Sequence, residues 1–134
     1  MYNETISQYM EKMNLLLGTP SANFSDVSSS EIPRKPGVYV IYDRTLKSVI
    51  YAGRTKNLRR RLLSDHRRGN IDGSQFRKAL GQKLFTNSEK MITQYILDNC
   101  SFRFLFVERF EKMVRLEHFI TAILGPLLNV QLKQ

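Results

Sequence analysis

The sequence predicts an α+β fold in which helices flank a small β-sheet. Three runs rich in β-branched and aromatic residues predict strands at Gly37–Tyr42, Ser48–Ala52 and Phe102–Val107. Only Asp43 to Lys47 separates the first two runs, which is short enough for a hairpin. Helical patterns precede, separate and follow these strands.

The hairpin sets an expectation for two tyrosines. A turn centred on Thr45 would place Tyr39 directly opposite Tyr51, because cross-strand partners then share a constant sum of residue numbers. Directly paired residues lie on one face of a sheet. We therefore expect the two phenol rings to lie side by side.

Four segments between and after the strands show helical patterns. Asn57 fits the N-cap of a basic helix from Leu58 to Arg68. Shorter helices are expected at Phe76–Leu84 and Ser88–Leu97. A final helix at Lys112–Leu124 stops at a Gly-Pro pair, which commonly ends helices.

The first 35 residues divide into two expected segments. Residues 1–17 form an amphipathic helix whose apolar stripe should pack on the core, on a second copy or on a partner protein. The Ser- and Pro-rich residues 18–35 read as a linker, which leaves residues 36–134 as the main domain. The stripe consists of Tyr2, Ile6, Tyr9, Met10, Met13 and Leu17.

Composition limits the class of protein. A chain of 134 residues with 42% hydrophobic residues suits one folded domain. Its net charge of +9 favours a polyanionic partner, nucleic acid or an anionic membrane, but no apolar run is long enough to span a membrane. The single cysteine excludes an intrachain disulfide, and one Cys with two His disfavours zinc. We expect a cytoplasmic or otherwise intracellular protein.

Glu117 lies at the margin of the apolar face of the final helix. A carboxylate there is costly to bury unless a cation or a metal pairs with it. The alternative is a structural position, in which the side chain turns to solvent or pairs with an arginine.

A run of basic residues covers the second strand end and the basic helix. It could neutralise several phosphates of a nucleic acid, or it could be a solvated surface. Arg61 lies closer to the domain body than its neighbours, and it could simply form an exposed pair with Asp65 one turn later. The run comprises Arg54, Lys56, Arg59, Arg60, Arg61, Arg67 and Arg68 within fifteen residues.

Two tripeptides resemble a known nuclease signature. Gly37-Val38-Tyr39 and Tyr51-Ala52-Gly53, twelve residues apart from tyrosine to tyrosine, are similar to the paired motifs of GIY-YIG nucleases. The continuation from Tyr51 to Leu62 resembles the second strand and following helix of that family. The family also has a metal-binding glutamate on a late helix, followed by proline and asparagine. Glu117, Pro126 and Asn129 resemble that pattern, with Asn129 twelve residues after Glu117.

The resemblance implies a fold, an activity and a set of roles. The fold is a three-stranded antiparallel sheet flanked by helices, and the activity is metal-dependent hydrolysis of phosphodiester bonds in DNA. Glu117 would hold Mg²⁺ or Mn²⁺, and Arg61, ten residues after the second tyrosine, would stabilise phosphoryl charge with Arg54.

The remaining catalytic positions follow from the same resemblance. Tyr39 is the preferred general base, with Tyr51 orienting the water or sharing that role, and Asn129 would order the site near Glu117. We expect Arg61 and the metal to lower the pKa of the Tyr39 phenol from its usual value of about 10. Tyr39, Tyr51, Arg61 and Glu117 should therefore converge on one electropositive surface.

One departure concerns the turn after Arg61. Many family members place His or Tyr there, whereas this chain has Asp65, with His66 one residue later. An offset of one residue rotates a helical side chain by about 100°, so His66 is only a possible accessory residue. Two alternatives stay open: an inactive GIY-YIG-like module that binds nucleic acid through the basic residues, and an adaptor that docks through the N-terminal helix.

Overall fold

The computed structural model describes residues 1–129, which contain four strands: β1 (Ala22–Asn23), β2 (Gly37–Asp43), β3 (Ser48–Thr55) and β4 (Cys100–Phe106). They form one antiparallel sheet in the spatial order β1-β4-β2-β3. The central strand β2 is buried along nearly its whole length, whereas β3 forms one edge of the sheet.

Four α-helices and a π-helix surround the sheet. Short 3₁₀ turns at Ser29–Glu31 and Ile71–Gly73 connect them. The predicted caps Asn57 and Ser88 both accept a backbone N–H at the start of a helix, at 3.1 and 3.2 Å. The helices are α1 (Asn3–Gly18), the π-helix (Arg60–His66), α2 (Gln75–Leu84), α3 (Glu89–Asn99) and α4 (Phe110–Leu124).

The two faces of the sheet carry separate hydrophobic layers, because neighbouring residues of a strand point to opposite faces. Tyr39 and Ile41 lie in the layer that α2, α3 and the basic helix cover, with buried residues such as Phe76 and Ile96. Val38, Val40 and Ala52 face α1 and α4 on the other side. α1 contributes buried Met13 and Leu16 to this second layer.

The N-terminal end of the same apolar stripe lies outside this layer. Tyr2, Ile6 and Met10 remain about half or more exposed, at 73%, 50% and 48%. Docking of this helix to a second copy or to a partner protein therefore stays a prediction.

The α+β class predicted from the sequence is confirmed, but the sheet has four strands rather than three. The extra strand β1 comes from the predicted linker, where Ala22 pairs with Phe102. Phe24, Val27 and Ile32 are the large apolar residues of that Ser-rich stretch, and all three are buried. Residues 18–35 are thus a packed part of the domain, and the linker interpretation was wrong because three well-spaced apolar residues suffice to fix a polar segment.

The predicted pairing of the two tyrosines was also wrong. Tyr39 lies opposite Gly53, and Tyr51 lies opposite Ile41. A bulge between Ile41 and Tyr42 and an Asp43 side chain that accepts the N–H of Thr45 shape the hairpin end. The register differs from the expected one by two residues, which keeps both tyrosines on the same face.

Within residues 1–129, no helix combines the length and the apolar character needed to cross a membrane.

Candidate active site

The two motif glycines make room for neighbouring groups. A Cβ on Gly53 would lie 2.5 Å from the hydroxyl of Tyr39, whose ring crosses β3 at this point. A Cβ on Gly37 would collide with the carbonyl oxygen of Leu105 and a methyl group of Leu58. Only glycine fits these two positions without displacing the phenol or the basic helix.

The two tyrosines occupy different environments. Their ring centroids are 6.4 Å apart, so they are neighbours although they are not directly paired. Tyr39 is only 1% exposed, whereas Tyr51 is half-buried. Tyr51 therefore lies closer to solvent, and Tyr39 lies within the core layer.

His66 completes a buried polar chain. Its Nε2 is 2.6 Å from the hydroxyl of Tyr39, and its Nδ1 is 2.8 Å from the hydroxyl of Ser74. In the tautomer with the proton on Nδ1, His66 donates to Ser74 and accepts the hydroxyl hydrogen of Tyr39.

The π-helix explains how His66 reaches this position. The N–H of Arg67 donates to the carbonyl of Leu62, five residues earlier, at 3.2 Å. A π-helix closes each hydrogen-bonded turn over five residues instead of four. Side chains five residues apart therefore lie nearly above one another, whereas in an α-helix they point in different directions. The extra residue between Arg61 and His66 is absorbed in this way, so the expected rotation away from the site does not occur. The basic helix consequently ends as a π-helix at His66 instead of continuing as an α-helix to Arg68.

Burial dominates the ionisation of these groups. It raises the pKa of Tyr39 well above its usual value, with a further contribution from the neighbouring phenol of Tyr51, although Arg61 acts in the opposite direction. The pKa of Tyr51 is also raised, again chiefly by burial. Arg61 lowers the pKa of Tyr39 as expected, but desolvation outweighs its charge, and the expected contribution of a bound metal stays a prediction. Burial, with Arg61 and Arg77, lowers the pKa of His66 to about 3, so its imidazole is neutral near pH 7.

Glu117 is buried on α4 and fully engaged. One carboxylate oxygen is 2.5 Å from Nη1 of Arg54, and the other accepts the hydroxyl hydrogen of Thr121 at 2.8 Å. Its exposure is 5%, so it does not turn to solvent. The contact with Arg54 is the arginine pairing that the sequence left open as an alternative.

The expected residues do not share one face of the sheet. Glu117 belongs to α4, which packs on the face opposite Tyr39 and Tyr51. The two sets approach each other at the edge strand β3, where the charge of Glu117 raises the pKa of both phenols. The site therefore wraps around an edge, and the expectation of a single shared surface has to be corrected accordingly.

A cleft of about 400 Å³ marks this edge. Arg54, Arg60 and Arg61 contribute its basic lining, and Phe110 with Met113 forms the wall from α4. Arg61 also forms the pair with Asp65 that the sequence left open as an alternative, at 3.2 Å, and its side chain is 39% exposed.

Asn129 covers the free edge of β3. Its side-chain oxygen accepts the N–H of Ala52 at 3.0 Å, and its amide donates to the carbonyl of Ala52 at 2.8 Å. The Asn129 side chain thus satisfies the backbone groups of Ala52 that a neighbouring strand would otherwise pair with. Ala52 lies between Tyr51 and Arg54 in β3. This contact orders the edge at which the two parts of the site meet.

The basic residues divide into two groups. Arg59 donates to the carbonyl of Ile32 at 2.7 Å, and Arg67 donates to the carbonyl of Phe24 at 3.3 Å. These two arginines hold residues 24–32 against the domain, which is a structural role that the sequence did not predict, and their part in DNA binding stays a prediction. Lys56, Arg60 and Arg68 are exposed and form no ion pair within residues 1–129.

Two residues near His66 were missed in the sequence. Ser74 caps α2 by accepting the N–H of Arg77 and also binds the imidazole of His66. Arg77 is completely buried and donates to the carbonyls of His66 and Arg67 at 3.0 and 3.1 Å, and to Glu89. An arginine at this helix position normally faces solvent, so the sequence carries no signal for its burial.

The chain matches the family model described as the GIY-YIG catalytic domain over residues 35–116. A comparison with curated protein sequences finds no match. Glu117 and Asn129 lie just beyond the matched residues.

Solved structures of the GIY-YIG N-terminal endonuclease domain of UvrC from Thermotoga maritima are similar to the chain. The magnesium-bound form is 22% identical, with a TM-score of 0.46, covering 74% of this chain and 88% of that domain. A tyrosine-to-phenylalanine point mutant bound to its catalytic divalent cation is 22% identical, with a TM-score of 0.47, covering 74% and 87%.

Proposed function

Because the chain belongs to the GIY-YIG catalytic-domain family, we propose that it is a divalent-metal-dependent endonuclease that hydrolyses phosphodiester bonds in DNA. The observation that carries the proposal is the presence of two buried polar groups on either side of the edge strand β3. One is the carboxylate of Glu117, and the other is the hydrogen-bonded chain Tyr39–His66–Ser74, which can accept a proton. A domain that only bound DNA would need the exposed cations but neither of these buried groups.

The chemistry of Glu117 fits a magnesium or manganese site. Mg²⁺ commonly binds through one or two carboxylates and completes its shell with water and substrate phosphate oxygens. Residues 1–129 contain no cluster of three or more His, Cys, Asp or Glu side chains that could hold a metal, so water and substrate oxygens would have to complete the shell of a cation at Glu117. Glu117 would hold the metal, which would supply polarisation of a phosphate oxygen and stabilisation of charge on the leaving oxygen.

Arg54 must share Glu117 with such a cation. Its side chain is 37% exposed, so it can leave the carboxylate and turn to a bound phosphate. The positive charge that balances Glu117 in the free protein would then stabilise the phosphoryl group, together with Arg61. Lys56 and Arg60, beside the same cleft, would hold the neighbouring phosphates.

Proton transfer is assigned to Tyr39 and His66 as a pair. The raised pKa of Tyr39 makes a free phenolate costly, so its oxygen accepts the proton of the attacking water while its own proton passes to Nε2 of His66. The water oxygen bonds to phosphorus as the bond to the leaving oxygen breaks. The negative phosphate raises the proton affinity of His66 by offsetting Arg61, and half-buried Tyr51 orients the water.

The direct test is cleavage by the whole chain. Duplex, flap and branched DNA would each be incubated with Mg²⁺, with Mn²⁺ and with EDTA. We expect cleavage of at least one form with either metal and none in EDTA. Tyr39→Phe, purified in parallel, should cleave much more slowly, which excludes a contaminating nuclease. Binding without cleavage under all conditions would replace the proposal with a DNA-binding module.

A further inference from the structure

Phe110 is an exposed aromatic residue on the wall of a basic cleft. It lies in the first turn of α4 and is 57% exposed. It lines the cleft of about 400 Å³ together with Arg54, Lys56 and Arg60. Neither hydrophobic layer of the domain includes it, and it makes no ring contact within residues 1–129.

The position of Phe110 relative to Glu117 is also defined. The two residues are seven positions apart on α4, which is two helical turns and about 10 Å along the axis. Residues spaced in this way lie on the same face of a helix. Arg54, which pairs with Glu117, lines the same cleft as Phe110, so a phosphate bound beside this pair would have Phe110 one or two nucleotides away.

We propose that Phe110 is a stacking platform for an unpaired nucleobase next to the cleaved phosphate. The inference rests on the proposed nuclease function and adds a substrate class: DNA with unpaired nucleotides at the cleft, as in flaps and single strands. A cationic groove that follows the phosphates, combined with an aromatic face, is the general arrangement for binding unpaired strands. In an intact duplex the bases stack on each other, which leaves no base face for Phe110.

The absence of tryptophan in the chain makes the contact measurable. Phe110→Trp introduces a single indole, whose fluorescence a stacked base would quench. Phe85→Trp is the matched control, because Phe85 is 95% exposed but lies outside the cleft. Each variant would be titrated in EDTA with a dye-labelled flap oligonucleotide and with a blunt duplex, and dye anisotropy would report binding in the same titration.

We expect saturable quenching of Phe110→Trp by the flap, weaker quenching by the duplex, and none of Phe85→Trp. Binding without quenching of Phe110→Trp would overturn the stacking proposal and leave the nuclease proposal intact. Quenching without cleavage in the separate metal-dependent assay would support stacking and contradict the nuclease. Failure of the wild-type protein and of both variants to bind any DNA would contradict both proposals.

Side-chain truncation gives a second measurement. Phe110→Ala should weaken binding of the flap about tenfold, since base–aromatic stacking contributes on this order, and should change duplex affinity little. Phe110→Tyr should restore flap binding because it restores an aromatic face. Equal weakening for flap and duplex would overturn the proposal, and Phe85→Ala should change neither affinity.

Discussion

His66 is neutral near pH 7 because it is buried beside two arginines, and this sets how the protein responds to acid. Its pKa is 6.5 in an unfolded chain and about 3 in the folded protein. As pH falls below about 6.5, the unfolded state binds a proton that the native state does not. The resulting stability is present above that pH and is lost as pH falls towards 3.

We therefore expect the free energy of unfolding to fall by about 1.4 kcal/mol per pH unit below the unfolded pKa of this group. Urea titrations between pH about 6.5 and 5 would measure this slope before most carboxylates titrate. His66→Gln should remove most of it, whereas His118→Gln should retain it, because His118 is exposed. Equal slopes in wild type and His66→Gln would contradict the buried neutral state.

Gly53 controls the position of the Tyr39 hydroxyl. In Gly53→Ala the added Cβ would lie 2.5 Å from that hydroxyl, so the phenol must move away from His66. We expect a loss of stability of about 1–3 kcal/mol, typical of overpacking, and a larger loss of cleavage than of DNA affinity. Gly18→Ala is the matched control, since a Cβ there meets nothing within 4 Å. Unchanged cleavage by Gly53→Ala would show that the position of Tyr39 does not matter.

At the level of elements, local patterns predicted the hairpin, the central strands and the late helix, because apolar periodicity and turn residues act over short distances. They failed where tertiary contacts decide. The two-residue shift of register depends on a bulge, and the inward turn of His66 depends on a π-helix. The contacts of Arg59 and Arg67 with backbone carbonyls were missed because these partners, 27 and 43 residues away in sequence, leave no mark on the local pattern.

Arg77 stabilises the end of the π-helix. It caps the carbonyls of His66 and Arg67 and links them to Glu89 on α3. Arg77→Met should lower the free energy of unfolding by about 2 kcal/mol or more, since buried carbonyls lose their donors.

The role of Arg77 can also be followed at His66. In a His118→Gln background, we expect nuclear magnetic resonance of the one remaining imidazole to show the Nδ1–H tautomer that the proposed proton transfer requires, and to lose it when Arg77 is replaced by Met. Arg77→Lys should recover part of it, and Lys78→Met, at an exposed neighbouring position, should change nothing. An unaltered His66 signal in Arg77→Met would exclude a positioning role.

At the scale of the whole molecule, contacts within the protein engage some of the arginines and leave a smaller set of cations free to meet a partner. Arg54 faces Glu117, and Arg59 and Arg67 hold the N-terminal segment, which leaves Lys56, Arg60 and Arg68 exposed. That segment lies before the family match and supplies buried residues such as Leu16 and Phe24 to both layers. The N-terminal residues are thus part of the domain that carries the site.

Reversing the three exposed charges should weaken DNA binding in a salt-dependent way. With Lys56→Glu, Arg60→Glu and Arg68→Glu combined, we expect the slope of log K against log salt to flatten by about 0.9 for each duplex phosphate that the protein no longer neutralises. Reversal of Lys78, Lys83 and Lys90, which are exposed on α2 and α3, is the control and should change the slope less. An equal effect of the two triple variants would reduce the proposed surface to general positive charge.

The most direct measurement of the central claim compares wild type with Glu117→Gln in three ways: melting temperature, DNA affinity in EDTA, and cleavage with Mg²⁺ or Mn²⁺. The amide keeps the shape but removes the charge that would hold the metal. We expect cleavage to fall by orders of magnitude while folding survives and affinity in EDTA holds or improves. Retained cleavage, or a parallel loss of stability, affinity and activity, would contradict the claim and leave Glu117 as the structural partner of Arg54.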